Sequence, residues 1–288
     1  MNFNGMVFPR PQFDFSNVNQ YEDELIYIPY NSKQENNKII HIPCLLLRDK
    51  TSKLSKNFII FFHGNAENIF IARSMGSNLQ KKIGMNVIIV EYPGYSIYEG
   101  EPDADTILEN TSIVYDFVKN KFKLEDKNIF IYGRSIGTSP AIYLASVRKP
   151  NALFLVSSFT SIRAVAGNMV GPLKYLLKER FLSKDYIVNV TCPILFIHGQ
   201  SDPLIPFKET LLLKEKCKCP YDVHLPRLMT HNDFDLDEDI VEPMNKFLKN
   251  YCKIDMTPNE FDKSEYELNK LYQQPEEIKI FIDKNLNK

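Results

Sequence analysis

Asn128-Ile129-Phe130-Ile131-Tyr132-Gly133-Arg134-Ser135-Ile136-Gly137 is the stretch on which the reading of this chain turns. A short apolar run enters a Gly-x-Ser-x-Gly corner, and a helical pattern leaves it near Ile136. A serine at such a strand-to-helix corner is a nucleophile elbow. Its hydroxyl is raised above the sheet, and the glycines remove side chains that would strike neighbouring backbone. The next N–H, that of Ile136, faces the place where an oxyanion would form. The pentapeptide alone is weak, because three fixed positions at ~7% each match by chance in about one such chain in ten. Its context is what makes it informative.

Outward from the elbow, short apolar runs alternate with helix-length amphipathic segments. Strands are expected at 25–30, 39–47, 58–62, 87–92, 129–132, 152–156, 194–198 and 221–225, and helices at about 66–83, 104–120, 136–148, 207–216 and 237–250. The central strands are continuous in Ile, Val and Phe, as parallel strands buried on both faces are. The alternation predicts a doubly wound α/β sheet with helices on both faces. The first two strands have no helix between them, so the sheet opens with an antiparallel hairpin.

This pattern divides the chain into an N-terminal extension (1–24), one α/β domain (25–252) and a charged C-terminal extension (253–288). The longest gap between consecutive strands, about 158–190, carries helical patterns at 162–170 and 173–181 broken by Gly171-Pro172, and predicts a short helical cap over the strand ends. In the last segment, Leu268, Leu271, Tyr272, Ile278 and Ile282 suggest one or two outer helices; a partly disordered tail and a partner-binding helix are the alternatives.

Bulk properties exclude several classes. The 288 residues carry a net charge of -1, which removes the basic excess that nucleic-acid or anionic-membrane binding requires. Apolar runs fall far short of the ~20 residues needed to span a bilayer. No secretory pattern or lipidation box is visible. The five cysteines are scattered, and Cys217-Lys-Cys219 has no second pair beside it, so reduced thiols in the cytoplasm and no metal are expected.

A serine hydroxyl needs a base, and the base needs an orienting carboxylate. On a sheet of this kind the acid follows a late strand and the histidine follows the last one. Asp202, in the exit loop of the 194–198 strand, fits the acid. Of the five histidines, His41 lies in an early strand, His63 and His198 head His-Gly turns that an imidazole braces, and His224 sits inside the last strand. His231, after that strand, fits the base. The turn His63-Gly64-Asn65 follows the 58–62 strand; Gly64 allows it to fold tightly, so the N–H of Asn65 can join that of Ile136 as a second oxyanion donor. Tyr95, in Tyr92-Pro93-Gly94-Tyr95, is expected to wall the pocket or pack beneath it, together with His63 and Gly64.

The motifs His63-Gly-Asn-Ala-Glu67, Tyr92-Pro-Gly-Tyr95, Gly133-Arg-Ser-Ile-Gly-Thr138, Ser157-Ser-Phe-Thr-Ser-Ile-Arg163 and Ile197-His-Gly-Gln-Ser-Asp202 occur in the order seen in α/β-hydrolases. The chain resembles most the eukaryotic subgroup that includes membrane-associated protein depalmitoylases, over roughly residues 25–250. The resemblance implies an α/β-hydrolase fold with an eight-stranded, mostly parallel sheet. It implies Ser135, Asp202 and His231 as a triad, Asn65 and Ile136 as oxyanion donors, and Phe159 near the pocket rim. Two departures stand out. Those depalmitoylases carry a lipidated N-terminal cysteine cluster, whereas residues 1–43 here contain no cysteine, and Ser96 replaces the glycine usual after Pro-Gly-Tyr.

The expected activity is hydrolysis of an ester or thioester through an acyl-enzyme, without a cofactor. The substrate is an acyl ester or thioester, a lipidated protein among the candidates, with peripheral membrane contact compatible with it. Three alternatives remain open: a lipid or small-ester carboxylesterase, a serine peptidase of the same fold, and a non-catalytic binding protein. The sequence leaves the oligomeric state undetermined.

Overall fold

Phe58–Phe62 and Ala152–Val156 are buried at every position, as strands covered by helices on both faces require. They lie in the interior of an eight-stranded sheet. The computed structural model describes residues 8–32, 38–48, 55–165, 179–254 and 272–286. The strands are β1 (Leu25–Ser32), β2 (Lys38–Leu47), β3 (Phe58–Phe62), β4 (Asn86–Val90), β5 (Ile129–Arg134), β6 (Ala152–Val156), β7 (Ile194–Ile197) and β8 (Tyr221–His224). Their order is β1-β2-β4-β3-β5-β6-β7-β8. β2 is antiparallel to both neighbours, and every later pairing is parallel. The expected opening hairpin and parallel body are both present.

Side chains alternate between two cores, following the period-two geometry of a strand. Phe58, Ile60 and Phe62 join Ile129 and Ile131 in a core with helices α2 (Ala104–Lys121) and α3 (Thr138–Val147). Ile59 and Phe61 join Phe130 and Tyr132 in a core with α1 (Ile69–Ile83) and two later helices. α4 (Ser183–Tyr186) and α5 (Lys208–Lys214) are short; α6 (Glu242–Tyr251) and α7 (Glu276–Leu286) close the second face.

Helix boundaries follow local chemistry. α1 begins at Ile69, three residues later than the sequence pattern suggests, because the Asn68 side chain accepts the N–H groups of Phe70 and Ile71 at 3.0 Å each and so caps the helix there. Asp103 caps α2 in the same way through the N–H of Thr106. The helix expected over 237–250 opens as a π turn, Leu236–Val241. Pro243 explains the break, since it has no N–H to give to the preceding turn.

The described part of the N-terminal extension lies across the domain. Phe8 is buried in the first core, with its ring 6.0 Å from that of Phe181. Arg10 pairs with Glu101 in the loop after β4. Phe13 stacks on Phe70 of α1 at 4.7 Å, against the second core. The segment therefore passes from one face to the other by the carboxyl ends of the strands. Of the helical patterns expected at 162–170 and 173–181, residues 166–178 lie outside the described residues, as do Leu268 and Leu271; residues 162–165 are helical. α7 packs through Ile278 and Ile282, its Phe281 ring lies 5.8 Å from Phe15, and Glu277 meets His41 at 2.7 Å. Tyr272, just ahead of α7, lies edge-on to Phe117 at 5.0 Å.

Because Ile282 is only 6% exposed, Ile282→Ala should lower stability by about 2 kcal/mol. Urea unfolding would reveal this as a lower midpoint at unchanged slope. An unchanged midpoint would mean that α7 contributes nothing to the folded domain.

Candidate active site

β5 delivers its last residue, Arg134, to a corner at which Ser135 adopts a left-handed backbone, φ +52°. A non-glycine residue held there stores strain, and in an elbow that strain lifts the side chain clear of the sheet. The corner also needs its glycines. A Cβ on Gly137 would stand 2.2 Å from the carbonyl oxygen of Phe62, and one on Gly133 would stand 2.5 Å from that of Gly137. The chain turns through a single 3-10 turn, Ser135–Gly137, before α3 begins. This packing sets Ser135 beside the turn that leaves β3.

Three side chains from separate loops meet at this corner. His231 Nε2 lies 3.0 Å from Ser135 Oγ, and His231 Nδ1 lies 2.8 Å from Asp202 Oδ2. An ionised carboxylate only accepts, so Nδ1 carries the hydrogen and Nε2 is left to accept from the serine hydroxyl. Ser135, Asp202 and His231 are 7%, 8% and 7% exposed, so all three are largely screened from bulk water.

Asp202 is held ionised. Burial pushes its carboxyl up, but hydrogen bonds from His198 and His231 and the N–H of Ile205 bring it well below the usual carboxylate range. Its Oδ1 accepts the N–H groups of Leu204 and Ile205 at 2.9 Å each. His198, fully buried, places Nε2 2.8 Å from the Ile205 carbonyl and 3.4 Å from Asp202 Oδ2, so this nitrogen carries a hydrogen. Its Nδ1 meets Thr210 Oγ1 at 2.7 Å, and Thr210 meets Ser158 Oγ at 2.6 Å. A chain of polar contacts thus links the loops after β6 and β7 beneath the carboxylate.

Over 207 residues the chain is 30% identical to human α/β-hydrolase domain-containing protein 17B, covering 72% of this chain and 70% of that protein. The chain belongs to the α/β-hydrolase domain-containing protein 17 family. Mouse α/β-hydrolase domain-containing protein 17C is 29% identical, with 71% of this chain and 63% of that one covered. Among solved structures, an esterase of Pyrococcus furiosus superposes with a TM-score of 0.64 at 18% identity, covering 85% of this chain and 98% of that one. Est1E from Butyrivibrio proteoclasticus gives 0.58 at 16% identity, covering 78% and 98%. No protein-family model matches the chain. The fold is that of an α/β-hydrolase, and the protein is a hydrolase.

The residues expected to shape this hydrolase's pocket are all buried. His63 and Tyr95 are fully buried, Phe159 is 1% exposed, and Gly64 is buried as well. They act through the loops they hold. The Tyr95 hydroxyl donates to Asn65 Oδ1 at 2.9 Å, and that of Tyr92 donates to the His63 carbonyl at 2.9 Å. Among the described residues no cluster of three or more His, Cys, Asp or Glu is arranged to hold a metal, no helix is long and apolar enough to cross a membrane, and all five cysteines are free thiols.

Glu91 is a functional support that sequence reading missed. Its one visible signal is a charged residue ending the apolar β4 run. The carboxylate accepts the N–H of Tyr92 at 3.0 Å, the N–H of Ile69 at 3.2 Å and the hydroxyl of Ser96. Ser96 itself sits at φ +34°, a conformation that favours glycine, and its hydrogen bond to Glu91 offsets that strain. Glu91 also meets His63 Nε2 at 3.0 Å, while His63 Nδ1 meets the Gly64 carbonyl at 3.0 Å. Both ring nitrogens face acceptors, an arrangement that favours the doubly protonated ring beside the Glu91 carboxylate, under the proposed oxyanion turn.

Burial pulls the His63 pKa down, but the hydrogen bond and charge of Glu91 and the Gly64 carbonyl outweigh it, and the net shift is upward from 6.5. A group with a raised folded pKa stabilises the fold fully below its unfolded pKa, and the contribution fades as pH rises through the folded value. The melting temperature should therefore decline as pH rises above about 6.5, and Glu91→Gln should flatten that decline. Parallel profiles for the two proteins would show that His63 is neutral.

Proposed function

We propose that this hydrolase is a serine esterase or thioesterase that works through an acyl-enzyme. The observation that carries the reading is the continuous contact from Ser135 Oγ to His231 Nε2, and from His231 Nδ1 to Asp202, at a corner strained to φ +52°. His231 takes the hydroxyl proton as Ser135 Oγ attacks the acyl carbonyl carbon. The N–H groups of Asn65 and Ile136 receive the charge that develops on the carbonyl oxygen. His231 then gives its proton to the departing alcohol or thiol, and the acyl group stays on Ser135. His231 next takes a proton from water as the water oxygen attacks the acyl carbonyl; the bond to Ser135 Oγ breaks, His231 returns the proton to that oxygen, and a carboxylic acid leaves. Asp202 keeps the ring in the required tautomer and stabilises the imidazolium at each stage.

The substrate class that best fits the resemblance to protein depalmitoylases is a fatty acyl thioester on a protein cysteine. Membership of the α/β-hydrolase domain-containing protein 17 family is consistent with that assignment. Free thiols throughout the chain fit a reducing, cytoplasmic setting, with substrate met at a membrane surface.

A fluorophosphonate probe should label the wild-type protein and fail on Ser135→Ala. Turnover of p-nitrophenyl butyrate should fall by about four orders of magnitude or more in Ser135→Ala and His231→Ala, and by about four in Asp202→Asn. An S-palmitoyl peptide should be cleaved with a higher kcat/KM than its O-ester counterpart. Folded wild-type protein that neither labels nor turns over would make this a binding protein built on a hydrolase fold. Preference for the O-ester would move the substrate to the carboxylesterase class.

A further inference from the structure

Arg134, the residue between the first glycine and the serine of the elbow, is almost wholly buried, its side chain 8% exposed. Such a guanidinium has to be paired, and its partners are informative. Nη1 donates to Glu67 Oε1. Nη2 donates to the backbone carbonyl of His231 at 2.7 Å and to Asn232 Oδ1 at 2.8 Å. The other carboxylate oxygen, Glu67 Oε2, accepts the N–H of Gly64 at 2.9 Å. One planar group thus joins the turn that carries Asn65 to the loop that carries His231, from the residue next to Ser135.

We propose that Arg134 is a positioning residue that locks the histidine loop to the oxyanion turn, with Glu67 as its carboxylate partner. This rests on the reading of Ser135, Asp202 and His231 as a catalytic triad. The topology explains why such a lock is needed. The turn follows β3 and the histidine loop follows β8, with β5, β6 and β7 between them in the sheet, so pairing of those two strands cannot set their separation. The close fit supports the same conclusion. A Cβ on Gly64 would stand 2.9 Å from Arg134 Nη1 and 3.3 Å from the Glu67 carboxyl carbon, so the fork lies directly against the turn. Phe234, further along the histidine loop, places its ring 5.8 Å from the guanidinium carbon.

Charge-assisted bonds from a rigid fork hold a separation better than a lysine, whose single ammonium has no fixed fork. Displacing a reacting group by about 1 Å costs on the order of 100-fold in rate, so the lock acts on turnover more than on substrate binding.

The test is kcat and KM for p-nitrophenyl butyrate, with kcat expressed per serine titrated by fluorophosphonate, in wild type, Arg134→Lys, Arg134→Met, Glu67→Gln and the Arg134→Met/Glu67→Gln double variant. Arg134→Met should lower kcat about 100-fold and leave KM within about 3-fold, and Glu67→Gln should lower kcat about 10-fold. The double variant should be no worse than Arg134→Met, because both changes open the same lock. Arg134→Lys should recover part of the loss through its pairing with Glu67. Wild-type kcat in folded variants, or losses that multiply in the double variant, would overturn the proposal. If Arg134→Met does not fold, Glu67→Gln and Asn232→Ala decide it, since unchanged kcat in both overturns it and a fall in both sustains it. A wild-type protein without turnover would overturn the hydrolytic reading itself, which separates the two failures.

Discussion

Gly137 approaches the exit of β3 so closely that a Cβ would stand 2.2 Å from the Phe62 carbonyl oxygen, and the geometry of the whole cleft depends on that approach. β3 and β5 are parallel neighbours, with Phe62 opposite Gly133. The two strands therefore end at the same height, and the chains leaving them must share one small volume. One leaves as the turn from His63, the other as the left-handed corner at Ser135. A larger residue at 137 would push these chains apart and move the serine from the backbone donors proposed to serve it. Sterics at a residue without a side chain thus set the distance between nucleophile and turn.

A second constraint is the treatment of buried charge. Glu91 and Asp202 stand at the carboxyl ends of β4 and β7, in a medium where an unsolvated carboxylate is very unfavourable. Each is surrounded by donors in place of water. Glu91 receives two backbone N–H groups, the Ser96 hydroxyl and His63. Asp202 receives two backbone N–H groups and His231, with His198 close by. The donors come from different loops, so satisfying each charge also fixes where those loops lie. Losing any one of them leaves a buried charge short of a partner as well as a loop short of a tether.

What could be read in the sequence was what has a local signature. The apolar runs placed all eight strands, β3 and β6 to the residue, because period and composition are properties of neighbouring positions. The elbow was visible because its glycines and serine adjoin. His63 and His198 were read as braces for their turns, and each has both ring nitrogens engaged beneath a loop. The bonds of Arg134 had no such signature: they reach residues 67 and 97 positions away, on turns that no pattern ties together. The aromatic run Phe8, Phe13 and Phe15 is the sequence's sign that the N-terminal extension packs across the domain.

β8 has four residues, none of them buried, and forms one edge of the sheet, yet the loop after it brings His231 to the cleft. A strand this short and this exposed holds its following loop poorly by itself. The compensation comes from the loop after β7. Gln200 donates its side-chain N–H to the Leu225 carbonyl at 2.7 Å, Ser201 donates its hydroxyl to that of Arg227 at 2.7 Å, and the Ser201 N–H reaches the Met229 carbonyl at 3.3 Å. These bonds run along the approach to His231, ahead of the Asp202 contact and of Arg134 on the other side. The least supported strand thus feeds a loop bonded on both flanks. The precision required of the proposed base comes from those cross-loop bonds, which have to be intact before the edge strand's own stability matters.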